Sequence, residues 1–310
     1  MTSPPGDRRV ARGHWPKLSR RVVLAGAGLG VAGAGGLAVA GEVVPGRAWI
    51  RRQLGSGGPD GVVPAVAGGR VVRGSFGSRA RGGRRCGWAI AYPPGQRGWT
   101  EGLPVVVVLH GRRNSHASVF DPGYLGLDRF LAAGVEQGLR PFALASVDGG
   151  DSYWHRRRNG EDAGAMVVEE FLPFLASRGL DVGRVGLMGW SMGGYGALRL
   201  AGLLGPGRVA GVGAMSPALW QAYADTSPGS FDDEADFRAM TVVGRQRDLT
   251  DVPVRIDCGQ ADPFYDVARE YAGDFAEAPA GSFWPGGHDV GYWRAMAPAQ
   301  LRFLGRSFSG

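Results

Sequence analysis

The sequence has few of the residues on which many catalytic mechanisms depend. Among its 35 basic residues there is a single lysine, Lys17. A P-loop lysine or a Schiff-base lysine is therefore excluded beyond residue 17. The two cysteines, Cys86 and Cys258, form no C-x-x-C pair, which argues against a zinc ribbon and against a thioredoxin-type site. The sequence is compatible with one disulfide between these two cysteines and equally with two free thiols.

The positive charge is concentrated at the amino terminus. The formal net charge is +7. Residues 1–40 contain six basic side chains and one acidic one, a net +5, which leaves +2 for residues 41–310. A charge this small does not indicate binding to nucleic acid. With 44% hydrophobic residues, the chain can bury a sizeable core, so a disordered protein is excluded.

Residues 1–40 have the pattern of an export signal. An arginine pair at residues 20 and 21 precedes an uncharged run, residues 22–40, that contains six glycines and ends in A-x-A. This pattern predicts a twin-arginine signal, and hence export to the cell envelope or the medium. Retention of residues 22–40 as a membrane anchor stays open, although a run of this length barely spans the hydrocarbon core.

Beyond the signal, residues 41–69 are rich in glycine and predict a linker. From residue 70 the pattern changes to short apolar runs bounded by turn residues. These runs predict strands at 71–76, 87–92, 105–109, 142–147, 185–188, 209–215, 254–258 and 282–284. Helical segments are predicted at 125–137, 162–177, 194–203, 264–275 and 292–304.

The alternation of strands and helices predicts an α/β domain over residues 70–310. Apolar strands separated by helices are typical of a mostly parallel sheet with helices on both faces. The first two strands are joined by a short arginine- and glycine-rich turn and predict an antiparallel hairpin at one edge. Residues 216–252, which contain two prolines and an acidic cluster, predict a small lid or wall.

Residues 189–194, Gly-Trp-Ser-Met-Gly-Gly, contain the spacing G-x-S-x-G between a predicted strand and a predicted helix. This spacing places the serine on a sharp, strained turn, where only glycines at the flanking positions let the strand and the helix approach closely. A serine in an ordinary turn is the alternative. The order strand, turn and helix favours Ser191 as a nucleophile.

A serine nucleophile needs a base and an acid that orients the base. Of the five histidines, only His288 follows Ser191 in the chain. The acid is expected between them, in a loop beyond a strand end, and Asp262 fits this position better than Asp257 or Asp289. The order Ser191, Asp262, His288 matches the chain order Ser…Asp…His. Such a triad needs no metal and no organic cofactor.

Two backbone N–H groups are expected to bind the negative charge that develops on the substrate oxygen. The first belongs to Met192, the residue after the nucleophile. The second is expected from the loop after strand 105–109, where we favour Arg112 over Gly111. His110, at the end of that strand, is then a structural residue.

The loop after strand 142–147 is expected to face the same crevice. Its aromatic and acidic residues include Asp151 and Trp154, and Trp190 lies beside the nucleophile. These three are candidate substrate-binding residues. Packing of the loop, and of Trp190 against the turn, is the alternative.

Four motifs carry a family resemblance over about residues 70–305: the strand-H-G turn, G-W-S-M-G-G-Y-G-A-L, D-C-G-Q-A-D-P-F and G-G-H-D-V-G-Y-W-R. They resemble the esterase D-type branch of the α/β-hydrolases, which also includes the mycolyltransferases. The resemblance implies an α/β-hydrolase fold and hydrolysis of carboxylic esters by Ser191, Asp262 and His288. Expected substrates are small-molecule, lipid or sugar esters. Acyl transfer to a sugar or alcohol hydroxyl, and an inactive envelope protein that only binds, are the alternatives.

Overall fold

The computed structural model describes residues 58, 60–95 and 102–309. Within these residues, eight strands form one sheet: β1 (Val71–Ser78), β2 (Arg84–Ala91), β3 (Leu103–Leu109), β4 (Ala143–Val147), β5 (Leu180–Trp190), β6 (Val209–Met215), β7 (Val254–Asp257) and β8 (Ala280–Ser282). The helices are α1 (His116–Phe120), α2 (Leu127–Glu136), α3 (Ala163–Ala165), α4 (Leu172–Ser177), α5 (Met192–Leu204), α6 (Glu234–Met240), α7 (Tyr265–Gly273) and α8 (Val290–Ser307). A π-helical segment, Met166–Phe171, joins α3 to α4.

The strand order is β1-β2-β4-β3-β5-β6-β7-β8. All neighbouring pairs from β4 to β8 are parallel, whereas β1 pairs with β2 and β2 with β4 in antiparallel fashion. The predicted mostly parallel sheet with a hairpin at its edge is therefore confirmed. Strand β5 begins at Leu180, before the predicted 185, because the exposed residues Asp181, Gly183 and Arg184 interrupt the apolar pattern before Val185.

Helices cover both faces of the sheet, as predicted. Along β3, Val105, Val107 and Leu109 belong to one buried cluster, and Val106 and Val108 belong to the other. Helices α4, α5 and α7 pack on the first face, and α1, α2 and α8 pack on the second. Burial on both faces explains why the central strands are apolar without alternation.

Because β3 to β8 run in the same direction, the loops that follow them meet at one edge of the sheet, the edge at which α/β folds bind ligands. The loops after β3, β4, β5, β7 and β8 contain the candidate residues. The fold therefore brings chemistry from five separate parts of the chain to one side of the molecule.

Residues 216–252 pack against these loops as a wall. The ring of Phe231 lies 5.2 Å from the ring of His155 and 6.2 Å from that of Tyr153. Arg157 forms an ion pair of 2.8 Å with Asp232 and donates to the backbone of the same segment. Aromatic contacts and a partly buried ion pair thus attach this segment to residues 148–162, which follow β4 and which we call the β4 loop.

The predicted export signal lies outside the described residues, as does most of the predicted linker. Within the described part of that linker, the N–H of Gly61 donates to the carbonyl of Gly291 at 2.8 Å, and Val63 packs against the core. The domain boundary at residue 70 stays a prediction. No helix in the described part of the chain has the length and apolar character needed to cross a bilayer. Cys86 and Cys258 are buried free thiols.

Strand β7 ends in a buried carboxylate, Asp257, whose oxygens accept hydrogen bonds from Arg255 and Gln300, each at 2.8 Å. Burial raises the pKa of Asp257 despite these partners. We predict that Arg255→Leu lowers the free energy of unfolding by about 3 kcal/mol, because it leaves a buried carboxylate without its cation. Urea unfolding measures this change. Arg238→Leu, which removes the exposed pair with Glu234, is the control and should have little effect; an equal loss in both variants would contradict the prediction.

Candidate active site

The candidate nucleophile lies on a strained turn between β5 and α5. Ser191 has φ 53° and ψ −122°, a conformation that non-glycine residues rarely adopt. Its N–H donates to the carbonyl of Met215, and its carbonyl accepts from the N–H of Ala218, both at 3.0 Å. These bonds to the end of β6 and to the segment after it hold the backbone in a conformation that the serine would not keep by itself.

The glycines around Ser191 are required by close backbone contacts. A Cβ on Gly189 would lie 2.2 Å from the carbonyl oxygen of Gly193. A Cβ on Gly193 would lie 2.0 Å from the carbonyl oxygen of Leu109, at the end of β3. The sequence pattern therefore reflects steric necessity, because β3, β5 and α5 converge here with no space for side chains.

Ser191, His288 and Asp262 form one chain of hydrogen bonds. The Oγ of Ser191 lies 2.9 Å from Nε2 of His288, and Nδ1 of His288 lies 2.9 Å from Oδ2 of Asp262. All three residues are buried, with exposed fractions of 5%, 8% and 5%. The structure thus brings together three side chains that the chain order selected.

The environment of Asp262 determines which atoms donate and which accept in this series of hydrogen bonds. Burial by itself would raise the pKa of Asp262, but the charge and hydrogen bond of His288 and the N–H of Phe264, 2.9 Å from Oδ1, bring it below its ordinary value. The ionised carboxylate can only accept, so Nδ1 of His288 is the donor. In the neutral imidazole, Nε2 is then the acceptor for the hydroxyl proton of Ser191.

The two alternative acids have other partners. Asp257 is held by Arg255 and Gln300. Asp289 accepts a hydrogen bond from the N–H of Tyr292 at 3.0 Å and so caps the start of α8. Among the three acids considered, Asp262 is the one hydrogen-bonded to the imidazole.

Two aromatic rings that the sequence interpretation did not select enclose His288. The ring centroid of Phe264 lies 5.3 Å from that of the imidazole, and that of Trp293 lies 5.2 Å away, both edge-on. In the sequence, Phe264 follows Asp262 by two residues and Trp293 follows His288 by five. Nearness to the candidate triad was therefore the signal that could have identified them. Their packing excludes water from the hydrogen-bonded chain and fixes the plane of the imidazole.

The two predicted backbone donors lie at the ends of neighbouring elements. Met192 is the first residue of α5, and the first N–H groups of a helix have no acceptor within the helix. Arg112 follows β3 by three residues, next to His110 and Gly111. His110 is fully buried, and burial lowers its pKa, which favours the neutral ring. This placement agrees with a structural role for His110.

The three candidate substrate-binding residues have different surroundings. Trp154 and Trp190 are both completely buried, so neither offers surface to a substrate in this structure. Trp190 packs between the rings of Tyr124 and Trp293, at 6.0 and 6.1 Å. Asp151 is exposed, and its Oδ1 accepts from the N–H of Arg113 at 2.7 Å. The two tryptophans are thus packing residues here, and only Asp151 faces solvent.

A polar cavity of about 640 Å³ opens beside the β4 loop. Its lining includes Asp151 and four arginines, Arg81, Arg84, Arg157 and Arg158. Among the described residues, no group of three or more His, Cys, Asp or Glu side chains is placed to hold a metal ion.

Residues 80–304 match the model of the family described as "Putative esterase". The chain belongs to this family. It is therefore a carboxylic ester hydrolase, as the motifs predicted. No curated protein sequence matches the esterase.

Solved structures share the fold of this esterase at low sequence identity. A ferulic acid esterase is 19% identical, with a TM-score of 0.66, over 78% of this chain and 100% of that one. An S-formylglutathione hydrolase from Agrobacterium tumefaciens is 19% identical, with a TM-score of 0.62, over 79% and 97%. The fluorophosphonate-binding serine hydrolase FphF from Staphylococcus aureus is 17% identical, with a TM-score of 0.61, over 77% and 99%. The predicted α/β-hydrolase fold is confirmed, and a relation to the mycolyltransferases stays a prediction.

We predict that Asp262→Asn lowers kcat of the esterase by about 10⁴-fold, because an amide can donate to Nδ1 and so favours the wrong imidazole tautomer. Steady-state hydrolysis of p-nitrophenyl acetate measures the loss. Asp289→Asn is the matched control, since asparagine keeps the capping oxygen of α8, and its activity should be unchanged. A large loss at Asp289 and none at Asp262 would show that the acid is wrongly assigned.

Proposed function

We propose that this esterase hydrolyses carboxylic esters through an acyl-enzyme on Ser191. The observation that carries the proposal is the hydrogen-bonded chain from Asp262 through His288 to Ser191, with both links at 2.9 Å. A strained turn that exposes a hydroxyl to an imidazole is the arrangement that serine hydrolysis requires.

In the first half of the reaction, Nε2 of His288 takes the proton of Ser191 while Oγ attacks the ester carbonyl carbon. The carbonyl oxygen becomes an oxyanion, which the N–H groups of Met192 and Arg112 stabilise. Collapse of the tetrahedral intermediate breaks the bond to the alcohol oxygen, which leaves with the proton from His288. Asp262 stabilises the imidazolium throughout and stays ionised.

In the second half, water attacks the acyl-enzyme. His288 takes a proton from this water, and the hydroxyl oxygen adds to the acyl carbon. Collapse of the second intermediate releases the carboxylic acid and returns the proton to Ser191. Overall, one ester and one water give one acid and one alcohol.

For the substrate, we propose a small-molecule ester, a class that the match to the esterase family supports. The ferulic acid esterase with the same fold also makes small aromatic acyl groups suitable test substrates.

We predict that Ser191→Ala lowers kcat for p-nitrophenyl acetate by more than about 10⁴-fold, because the nucleophile is lost while the other groups remain. A fluorophosphonate probe should add its mass to the unaltered protein and not to this variant. Ser177→Ala, at an exposed serine bonded to its own helix, is the control and should keep both properties.

Unchanged hydrolysis in Ser191→Ala would refute the mechanism. A correctly folded protein whose Ser191 never reacts with the probe would instead indicate a hydrolase fold used only for binding. Faster breakdown of the acyl-enzyme on addition of an alcohol or sugar, with formation of a new ester, would indicate acyl transfer.

We propose that the esterase is exported through its twin-arginine segment and acts in the cell envelope or outside the cell. The motivation is the arginine pair before the uncharged run of residues 22–40. We predict that the protein recovered from the medium or envelope begins at Gly41, as amino-terminal sequencing would show. Replacement of both arginines by lysine should keep the chain in the cytoplasm, and export of that variant would contradict the proposal. Recovery of a protein that still contains residues 22–40 would instead indicate a membrane anchor.

A further inference from the structure

Side chains hold three consecutive peptide groups of residues 110–113, which we call the oxyanion loop. Nε1 of Trp154 donates to the carbonyl of His110 at 3.3 Å. The ring of His110 is bonded through Nδ1 to the carbonyl of Gly111 at 2.8 Å. Oδ1 of Asp151 accepts from the N–H of Arg113 at 2.7 Å. Each peptide unit of the loop therefore has its own fixed partner.

The tautomer of His110 follows from its two hydrogen bonds. The N–H of Gly149 donates to Nε2 at 3.0 Å, so Nε2 is the acceptor. In the neutral ring, Nδ1 then carries the proton and donates to the carbonyl of Gly111. The β4 loop, which contains Gly149, thus determines that Nδ1 of His110 is the atom that donates to the oxyanion loop.

These bonds also orient the N–H groups of the loop. The described peptide bonds are all trans. In a trans peptide, the carbonyl and the next N–H point in opposite directions. Since the carbonyl of Gly111 is held by His110, the N–H of Arg112 points away from that ring. Its direction is fixed before any substrate binds, which is what stabilisation of an oxyanion requires.

Trp154, which holds the first peptide group of the oxyanion loop, lies in a strained segment. Tyr153 and Trp154 both have φ 56°, in the region that non-glycine residues avoid. The ring of Trp154 packs closely against Gly196 in α5, where a Cβ would lie 2.5 Å from it. Trp154 therefore contacts the oxyanion loop and the helix that begins with Met192. Backbone strain of this kind persists where the surrounding structure imposes it, and it is concentrated at functional sites.

We infer that Trp154, His110 and Asp151 are positioning residues that aim the N–H of Arg112 at the substrate oxygen. The inference rests on the proposed function, in which that N–H is an oxyanion donor. It gives Asp151 and Trp154 a role different from the substrate contact predicted from sequence. The β4 loop then acts on the transition state without touching the substrate.

The first test is Trp154→Phe, which keeps an aromatic ring and removes the Nε1 donor. We expect kcat/KM for p-nitrophenyl acetate to fall about tenfold, the effect of about one hydrogen bond. The affinity of a trifluoromethyl ketone, which forms an oxyanion when Ser191 adds to it, should fall by the same factor. Trp88→Phe, at a buried tryptophan packed on Phe174, is the matched control and should leave kcat/KM unchanged.

The second test uses Asp151, which is exposed and can be replaced without disturbing the core. Asp151→Ala removes the acceptor for Arg113 and should lower kcat/KM about tenfold. Asp151→Asn keeps an acceptor oxygen and should restore most of the activity. The factor by which kcat/KM falls in Asp151→Ala should be the same for two acetates with different alcohols. A loss that depends on the alcohol would show that Asp151 contacts the substrate, and would overturn the inference for this residue.

The outcomes separate this inference from the proposed function. Full activity of Ser191→Ala would refute the proposed function and the inference together. Loss of activity in Ser191→Ala, with unchanged kcat/KM and inhibitor affinity in both Trp154→Phe and Asp151→Ala, would refute the inference alone. A fall in kcat/KM without a parallel fall in trifluoromethyl ketone affinity would also refute it.

Discussion

The close backbone approach of β3, β5 and α5 around Ser191 is the constraint on which the rest of the site depends. Gly189 and Gly193 let the three elements meet, and this contact imposes a positive φ on Ser191 that a free turn would not keep. The turn directs the hydroxyl to the edge of the sheet where the other loops converge. The positions of His288 and of the oxyanion loop can serve catalysis only because the turn holds the serine hydroxyl in place.

Two buried aspartates near the end of β7 show how surroundings determine what a carboxylate can do. Asp257 is enclosed with Arg255 and Gln300, and burial raises its pKa. Its hydrogen bonds to these two residues join β7 to α8. Asp262 lies beyond the strand, where His288 and a backbone N–H lower its pKa. The ionised carboxylate accepts a hydrogen bond from Nδ1 of His288, so that Nε2 is the acceptor for the hydroxyl proton of Ser191.

Aromatic packing connects the wall formed by residues 216–252 to the oxyanion loop. Phe231 contacts His155 and Tyr153, and the neighbouring Trp154 reaches the carbonyl of His110. Burial of these rings supplies the free energy that holds two adjacent residues at positive φ. The wall therefore supports the geometry of the site as well as bounding it, and the N–H of its Ala218 donates to the carbonyl of Ser191.

The sequence by itself determined the fold class and the chain order of Ser191, Asp262 and His288, because apolar runs report buried strands and steric contact around a strained serine dictates its glycines. It missed the short helices α1 and α6, which are too brief to show a helical period. Tertiary structure alone decided that Trp154 and Trp190 are buried and that Asp151 binds a backbone N–H. Those outcomes depend on which distant residues meet and which way a peptide plane faces, and local patterns contain neither.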